Sequence, residues 1–222
     1  MRSGRFYCSS VDLQKLRADY GKLTLSEASA GDDPLRLLEA WLEEAVRAEA
    51  LEPNAMVVAT VDASGLPSSR VVLLRGLSAA GLTFFTNYES RKGSEIAGRR
   101  QVAALFFWPL LERQVRVEGE VSRLPAAESD AYFASRPHQS RLAALASPQS
   151  RPVEGRAVLD DRYAELTAMY PEGTHVPRPA HWGGYCIEPR RIEFWQGGSH
   201  RLHDRIEFTR VSSGWQKSRL AP

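Results

Sequence analysis

The stretch Ile192 to Arg205, IEFWQGGSHRLHDR, gathers His200, Arg201, His203, Asp204 and Arg205 behind a break at Gln196-Gly197-Gly198-Ser199. Ionisable groups this dense suit either a solvated loop or the polar wall of a binding site. Trp195 just before them weighs toward the site, because an indole is costly to leave in water. A zinc reading of His200 and His203 lacks a Cys or a third His at ligand spacing. The chain also has no P-loop, no G-x-G-x-x-G and no G-x-S-x-G, so the usual nucleotide and hydrolase signals are missing.

Three other segments could bind anions. Arg70-Val71-Val72-Leu73-Leu74-Arg75 brackets an apolar strand with two arginines, and strand alternation sends positions 70 and 75 to opposite faces. On pattern alone it reads as a core strand with charged ends. In Phe85-Thr86-Asn87-Tyr88-Glu89-Ser90-Arg91-Lys92 a strand ends, a polar loop follows and a helix opens with two cations. Cations in a first helical turn oppose the helix dipole unless an anion compensates, which favours a phosphate site over a plain surface turn, although Arg and Lys are also common on exposed helices. Tyr132, Arg136 and Ser140 recur at intervals of four and would share a helical face, although Pro137 interrupts it. Three donors suit a phosphate as well as they suit an exposed helix end.

The elements that must carry these residues are legible from periodicity. Residues 1–30 read as a partly flexible extension with one short helical piece over Val11 to Tyr20. Residues 31–222 read as one domain. A helix starts at Asp32 or Asp33 and Pro34, with Leu35, Leu38, Trp41, Leu42, Ala45 and Val46 as its apolar stripe. Strands are expected over Ala55–Val61, Ser69–Leu74 and Leu82–Thr86, with Gly76–Gly81 as a loop. A short helix follows from Ser90, then a hairpin of Val102–Trp108 and Arg113–Val121, with Val115, Val117 and Val121 on one face. Helices are expected over Pro125–Ser135 and Asp160–Tyr170. Strands return at Gly184–Ile187, Arg191–Trp195, Arg205–Arg210 and Trp215–Leu220. Short consecutive strands with hairpin-sized links predict a β-rich α+β fold, an antiparallel barrel or sandwich with helices packed outside.

Bulk properties narrow the class. The chain has 222 residues, 43% of them hydrophobic and 25% charged, as in ordinary globular proteins. No apolar run is long enough for a membrane span, and the start MRSGRFYCSS is no secretory signal. Cys8 and Cys186 make no CxxC pair, so a reduced, cytoplasmic protein is expected. The net charge of +2 gives no argument for nucleic acid. Of the 29 basic residues only Lys15, Lys22, Lys92 and Lys217 are lysines. Guanidinium forks suit phosphate and carboxylate ligands, though most of these arginines read as ordinary surface residues.

RVVLLR, SRK, ERQVRVEG, SRP, WGGY, IEFWQGG, RLHDR and the terminal RLAP, in this order, resemble the pyridoxamine 5′-phosphate oxidases over nearly the whole chain. The resemblance implies an FMN-binding split β-barrel acting as a homodimer with FMN at the interface. It implies that Arg70, Val71, Val72, Leu73, Phe85, Thr86, Arg91, Lys92, Gln114, Gln149, Ser150, Trp195 and Arg205 line the FMN. It assigns Arg75, Tyr132, Arg136 and Ser140 to the substrate phosphate. Arg201 and His203 fall to the catalytic side of the substrate, with Arg17 and Tyr20 closing over it. The implied reaction oxidises pyridoxamine or pyridoxine 5′-phosphate to pyridoxal 5′-phosphate with O2 as acceptor and H2O2 as product, and needs no metal. Three departures stand out: Arg75 where the family commonly has Lys, Phe85 where Tyr is frequent, and no Gly or Trp between Arg141 and Ser147. Alternatives are an oxidase of another ring, such as a phenazine precursor, or a non-catalytic binder of flavin or pyridoxal phosphate.

Overall fold

The computed structural model describes residues 19–222. Arg17 and most of the short helix expected over Val11 to Tyr20 lie outside those residues.

Helix α1 (Glu27–Ala30) is closed by a Ser26/Ser29 capping box. Helix α2 (Pro34–Arg47) starts as its sequence requires, with Asp33 accepting from the Leu35 and Arg36 amides and proline in the first turn. It buries Leu38, Trp41 and Ala45. Val46, expected on the same stripe, is instead 61% exposed: Ala45 beside it is fully buried, and one further residue turns Val46 about 100° off that face. Strands β1 (Ala55–Val61) and β2 (Pro67–Leu73) form a hairpin. The loop expected over Gly76–Gly81 contains strand β3 (Gly76–Ser78), which pairs with β4 (Gly81–Asn87); its three residues are too few for a visible alternation. After α3 (Arg91–Gly98), strands β5 (Gln101–Trp108) and β6 (Arg113–Arg123) form the expected hairpin, with Val115, Val117 and Val121 all buried.

Helix α4 (Ala126–Ser135) stops before Arg136-Pro137, and a new helix, α5 (His138–Ala146), begins with Pro137 at its cap. The continuous helical face proposed for Tyr132, Arg136 and Ser140 is therefore two helices meeting at a turn, since proline cannot sit inside the first. Helix α6 (Arg156–Met169) follows. The two strands expected at Gly184–Ile187 and Arg191–Trp195 are one strand, β7 (Trp182–Gln196). A bulge opposite Glu118/Gly119 lets Pro189 pass without breaking it. Gly119 is required there: a Cβ would strike the Glu188 carbonyl. Strands β8 (Asp204–Val211) and β9 (Gly214–Arg219) complete the chain.

The strands form one antiparallel sheet, ordered β2-β1-β5-β6-β7-β4-β3, with β8 on β7 and β9 on β8. Strand β7 has β6 along one edge. On its other edge it pairs with β4 over Trp182–Ile187 and with β8 over Arg191–Gln196. The inner face and α2 enclose the main core, which includes Val58, Phe84, Phe106, Val117, Ile192, Phe194 and Phe208, all with essentially no exposure. Each such side chain stabilises the fold by about 1.5–3 kcal/mol. A second core of Phe133, Leu142, Leu166, Val176 and Trp182 joins α4, α5 and α6 to the start of β7.

Residues 20–31 are held to the body. Leu25 and Ala30 are buried. Glu112 accepts from the Gly21 and Lys22 amides, and Arg219 binds Glu27 and Asp204.

Candidate functional site

Strands β2 and β4, helices α3 and α4 and the loop after α5 enclose an open cleft of about 280 Å³. Its walls are Val71, Val72, Leu73, Arg75, Phe85, Thr86, Lys92, Tyr132, Arg136, Gln149 and Trp182. All but Trp182 are residues that the family resemblance assigns to a phosphate or flavin site.

One end of the cleft is built on α3. Ser90 caps this helix by accepting from the Gly93 amide. That cap starts the helix where Lys92 points inward, only 8% exposed. The Lys92 ammonium donates to Thr86 Oγ1 (3.0 Å), Ser90 Oγ (3.3 Å) and Gln149 Oε1 (2.8 Å). All three acceptors are neutral, and among the described residues no carboxylate pairs with Lys92. Burial, reinforced by the charge of Arg70, lowers its pKa from 10.5 to about 8. A buried cation surrounded by neutral oxygens fits an anionic ligand.

The other end lies at the turn between α4 and α5. Phe85, Tyr132 and Trp182 stack, with Phe85 and Tyr132 centroids 3.8 Å apart. The Arg136 guanidinium lies 4.7 Å over the Trp182 ring. Its Nη1 is buried without a hydrogen-bond partner, as are His138 Nδ1 and Arg141 Nε at the start of α5. Burial pulls Arg136 below its ordinary pKa; Tyr132 opposes this and Arg75 adds to it. An orphaned guanidinium nitrogen beside a second arginine fits an anion that satisfies both. Ser140 is half-buried in the first turn of α5 but does not line the cleft.

Arg70 and Arg91 converge on a different partner. Arg70 points away from the cleft, with Nη1 on the Val58 carbonyl (3.0 Å) and Thr60 Oγ1 (2.5 Å), and Nη2 on Ser68 Oγ (2.5 Å) and Glu95 (3.3 Å). Arg91 donates through Nε to the other oxygen of Glu95 at 2.8 Å. Arg75, by contrast, is in the cleft, so the opposite-face reading of the RVVLLR strand holds.

Tyr20, Gln114, Trp195, Arg201, His203 and Arg205 form a second group on the outer face of the sheet. Register places Phe107, Gln114, Trp195 and Arg205 in one cross-strand row over β5, β6, β7 and β8. Trp195 is covered by Tyr20 (5.8 Å, edge-on) and contacts the His203 ring at 4.7 Å. Gly197 makes room for this: a Cβ there would come within 2.8 Å of the Tyr20 side chain. The Gly198 amide donates to His203 Nδ1 (3.1 Å), so in the neutral ring the proton sits on Nε2. With Nδ1 so engaged, His200 and His203 make a poor metal pair. His200 and Arg201 both have left-handed backbones, φ 56° and 64°. Such strain in two consecutive non-glycine residues is a mark of functional loops. Arg201 is exposed, whereas Arg205 is gripped by Glu193 at 2.8 Å, which raises its pKa. Ser150, also left-handed at φ 69°, follows Gln149 at the mouth of the cleft.

The two groups do not meet within one chain. Between them runs the outer face of β2, β1 and β5, where Val71, Val57 and Leu105 share one row. From β2 to β6 this spans roughly 15 Å across the strands. Val71 and Phe107 are 61% and 58% exposed on it. The sequence reading missed Trp182, although its WGGY motif carried the signal. It also missed Glu95, which lies four residues after Arg91, and Glu112, which tethers Gly21 and Lys22 beside Tyr20.

Comparison with known proteins agrees with this geometry. Residues 42–170 match the family model described as pyridoxamine 5′-phosphate oxidase. Residues 182–222 match the model described as the pyridoxine 5′-phosphate oxidase C-terminal dimerisation region. The chain is 52% identical over 212 residues to a pyridoxine/pyridoxamine 5′-phosphate oxidase of Neisseria gonorrhoeae, covering 96% of this chain and all of that one. It is also 52% identical over 211 residues to the protein so named from Rubrobacter xylanophilus, covering 95% and 97%. Among solved structures it resembles PhzG of Burkholderia lata in complex with tetrahydrophenazine-1-carboxylic acid, with a TM-score of 0.86, 31% identity and coverage of 91% and 100%. An FMN-binding, pyridoxamine 5′-phosphate oxidase-related protein of Nostoc punctiforme shares the fold at a TM-score of 0.68 and 17% identity, covering 86% and 98%. The expected β-rich α+β fold is thus the split barrel of these structures. With family models spanning most of its length and relatives at half identity, the chain belongs to the pyridoxamine 5′-phosphate oxidase family.

Proposed function

We propose that this chain is an FMN-dependent oxidase converting pyridoxamine or pyridoxine 5′-phosphate to pyridoxal 5′-phosphate, with O2 as acceptor and H2O2 as product. The carrying observation is one cleft with two cationic ends, Lys92 at one and the orphaned Arg136 with Arg75 at the other. Two phosphorylated ligands, a cofactor and a substrate, account for both. FMN, when bound, would supply the two-electron acceptor that the protein's own side chains lack.

Lys92, Thr86 and Gln149 would hold the cofactor phosphate, and Arg75, Arg136 and Tyr132 the substrate phosphate. His203, with its proton on Nε2, would donate to the substrate ring, and exposed Arg201 would orient it and stabilise charge near the reacting carbon. Tyr20 over Trp195 would help to exclude water.

These last residues reach the cleft if a second copy covers the apolar outer face, so the working unit is proposed as a homodimer. The match to a dimerisation region over residues 182–222 supports this. Leu105→Asp should split the dimer in light scattering and weaken FMN binding at least tenfold. A monomeric parent protein, or a dimeric variant with full FMN affinity, would exclude the arrangement.

The reading as a whole is tested by the visible spectrum of FMN-loaded protein under anaerobic conditions. Pyridoxamine 5′-phosphate should bleach the flavin bands, and air should restore them with peroxide. Unphosphorylated pyridoxine should leave them unchanged. No bleaching by either phosphorylated vitamer would overturn the proposal, and bleaching by a tetrahydrophenazine carboxylate alone would favour the reaction class suggested by the PhzG likeness.

A further inference from the structure

Glu95 is one of the few buried carboxylates among the described residues, and the proposed reaction gives it no part. It lies on α3 within one turn of Lys92. Its Oε2 accepts from Ser68 (2.7 Å), Thr60 and Arg70 (3.3 Å), and its Oε1 from Arg91 Nε (2.8 Å). Burial disfavours its charged form, but hydrogen bonds from Thr60, Ser68 and Arg91, with the charge of Arg70, outweigh that and hold it at about 2. The carboxylate is therefore ionised at any working pH.

Its effect on the two arginines differs. Arg70 has both terminal nitrogens fully engaged, so it brings charge near Lys92 and has little left to donate. Arg91 is held only through Nε. Its two Nη groups have no protein partner among the described residues, and its side chain is 61% exposed. A guanidinium gripped by its Nε presents the outer fork in a fixed direction. Three cations and one carboxylate leave the start of α3 with two net positive charges, the magnitude carried by a phosphate monoester.

We infer that Glu95 is a positioning residue for the phosphate end of the cofactor: it clamps Arg70 and Arg91 so that the charge of the first and the free donors of the second stand ready beside Lys92. This rests on the proposed FMN site. Bare electrostatics predicts the opposite behaviour, because removing a negative charge beside a bound dianion should tighten it. A clamp predicts loss. Glutamine keeps the shape but offers one acceptor oxygen where two are used, so either amide orientation releases one arginine.

The test compares apoprotein affinities for FMN and for riboflavin, which lacks the phosphate, by flavin fluorescence quenching. Glu95→Gln should weaken FMN at least tenfold and leave riboflavin within twofold. Equal losses for both would reduce Glu95 to a structural role, and unchanged or tighter FMN would eliminate the clamp. If Glu95→Gln does not fold, Ser68→Ala removes a hydroxyl shared by Arg70 and Glu95. It should weaken FMN about threefold with riboflavin unchanged, and an unchanged FMN-to-riboflavin ratio would overturn the inference. A parent apoprotein that binds neither flavin would remove the proposed function and this inference together, whereas normal parent binding with an unaffected variant removes only the inference.

Discussion

Arg136→Met is expected to make the ligand-free protein more stable and the enzyme far worse. In the folded chain Arg136 lies over Trp182 with a buried Nη1 that has no partner. An unsatisfied buried donor costs about 1–3 kcal/mol. Methionine keeps apolar contact with the indole and removes that cost. For a chain of this size each kcal/mol moves Tm by about 2–4 °C, so a rise of several degrees is expected. Hydrogen bonds to charged groups are each worth about 1.5–3 kcal/mol, and a guanidinium meets a phosphate through two. Losing both lowers kcat/KM by about 10²–10⁴. The substrate phosphate is not the reacting group, so the loss should fall on KM more than on kcat. Scanning fluorimetry of the apoprotein and steady-state kinetics with pyridoxine 5′-phosphate read both effects. An unchanged KM would remove Arg136 from the substrate site, and a lower Tm would mean that its stack on Trp182 outweighs its missing bond.

The parts of this site that the sequence exposed are those where local chemistry is self-contradictory. Arg91 and Lys92 behind Ser90 put cations in a first helical turn, a conflict that a bound anion would resolve and that needs no tertiary knowledge to notice. The helix from Pro34 and the β5–β6 hairpin follow from caps and alternation alone. The convergence of Arg75, Tyr132, Arg136 and Gln149 on one cleft does not. It depends on β4 pairing with the first half of β7 and on the turn between α4 and α5, and only the ordered family motifs announced it. Trp182 was not singled out as a site residue, although WGGY marked its segment, because a tryptophan beside two glycines reads as packing until its stacking partners Phe85 and Tyr132 are known. Glu95 was hidden for a related reason. An i, i+4 Arg–Glu pair is the ordinary dressing of a solvated helix, and only the packing of α3 against β1 and β2 buries its carboxylate among Thr60, Ser68 and Arg70. Spacing also misled at Val46, which lies one residue past the fully buried Ala45 and so at the edge of the apolar stripe, where the helix turns to solvent.

Lys92→Met should separate the cofactor phosphate from the flavin ring more sharply than any other single change. Lys92 is almost fully buried, its three hydrogen-bond partners are neutral, and burial with the nearby charge of Arg70 lowers its pKa from 10.5 to about 8. A folded pKa below the unfolded value means that the charge is a burden on the fold. Below pH 8 both states are protonated and the full cost of about 3 kcal/mol is present. As pH rises from 8 to 10.5 the folded state releases its proton first, and the cost disappears. The ligand-free parent should therefore gain stability across that window relative to the variant. Cofactor binding runs the other way, because only the ammonium can hold the phosphate. FMN affinity should fall by up to tenfold per pH unit above 8, while riboflavin affinity stays level. Methionine should weaken FMN about 100-fold at pH 7, leave riboflavin unaffected and abolish the slope above pH 8. Equilibrium quenching titrations of both flavins from pH 7 to 9.5, on parent and variant, decide the matter. If FMN affinity follows the same pH profile in both proteins, the titrating cation is not Lys92, and the phosphate does not sit at the start of α3.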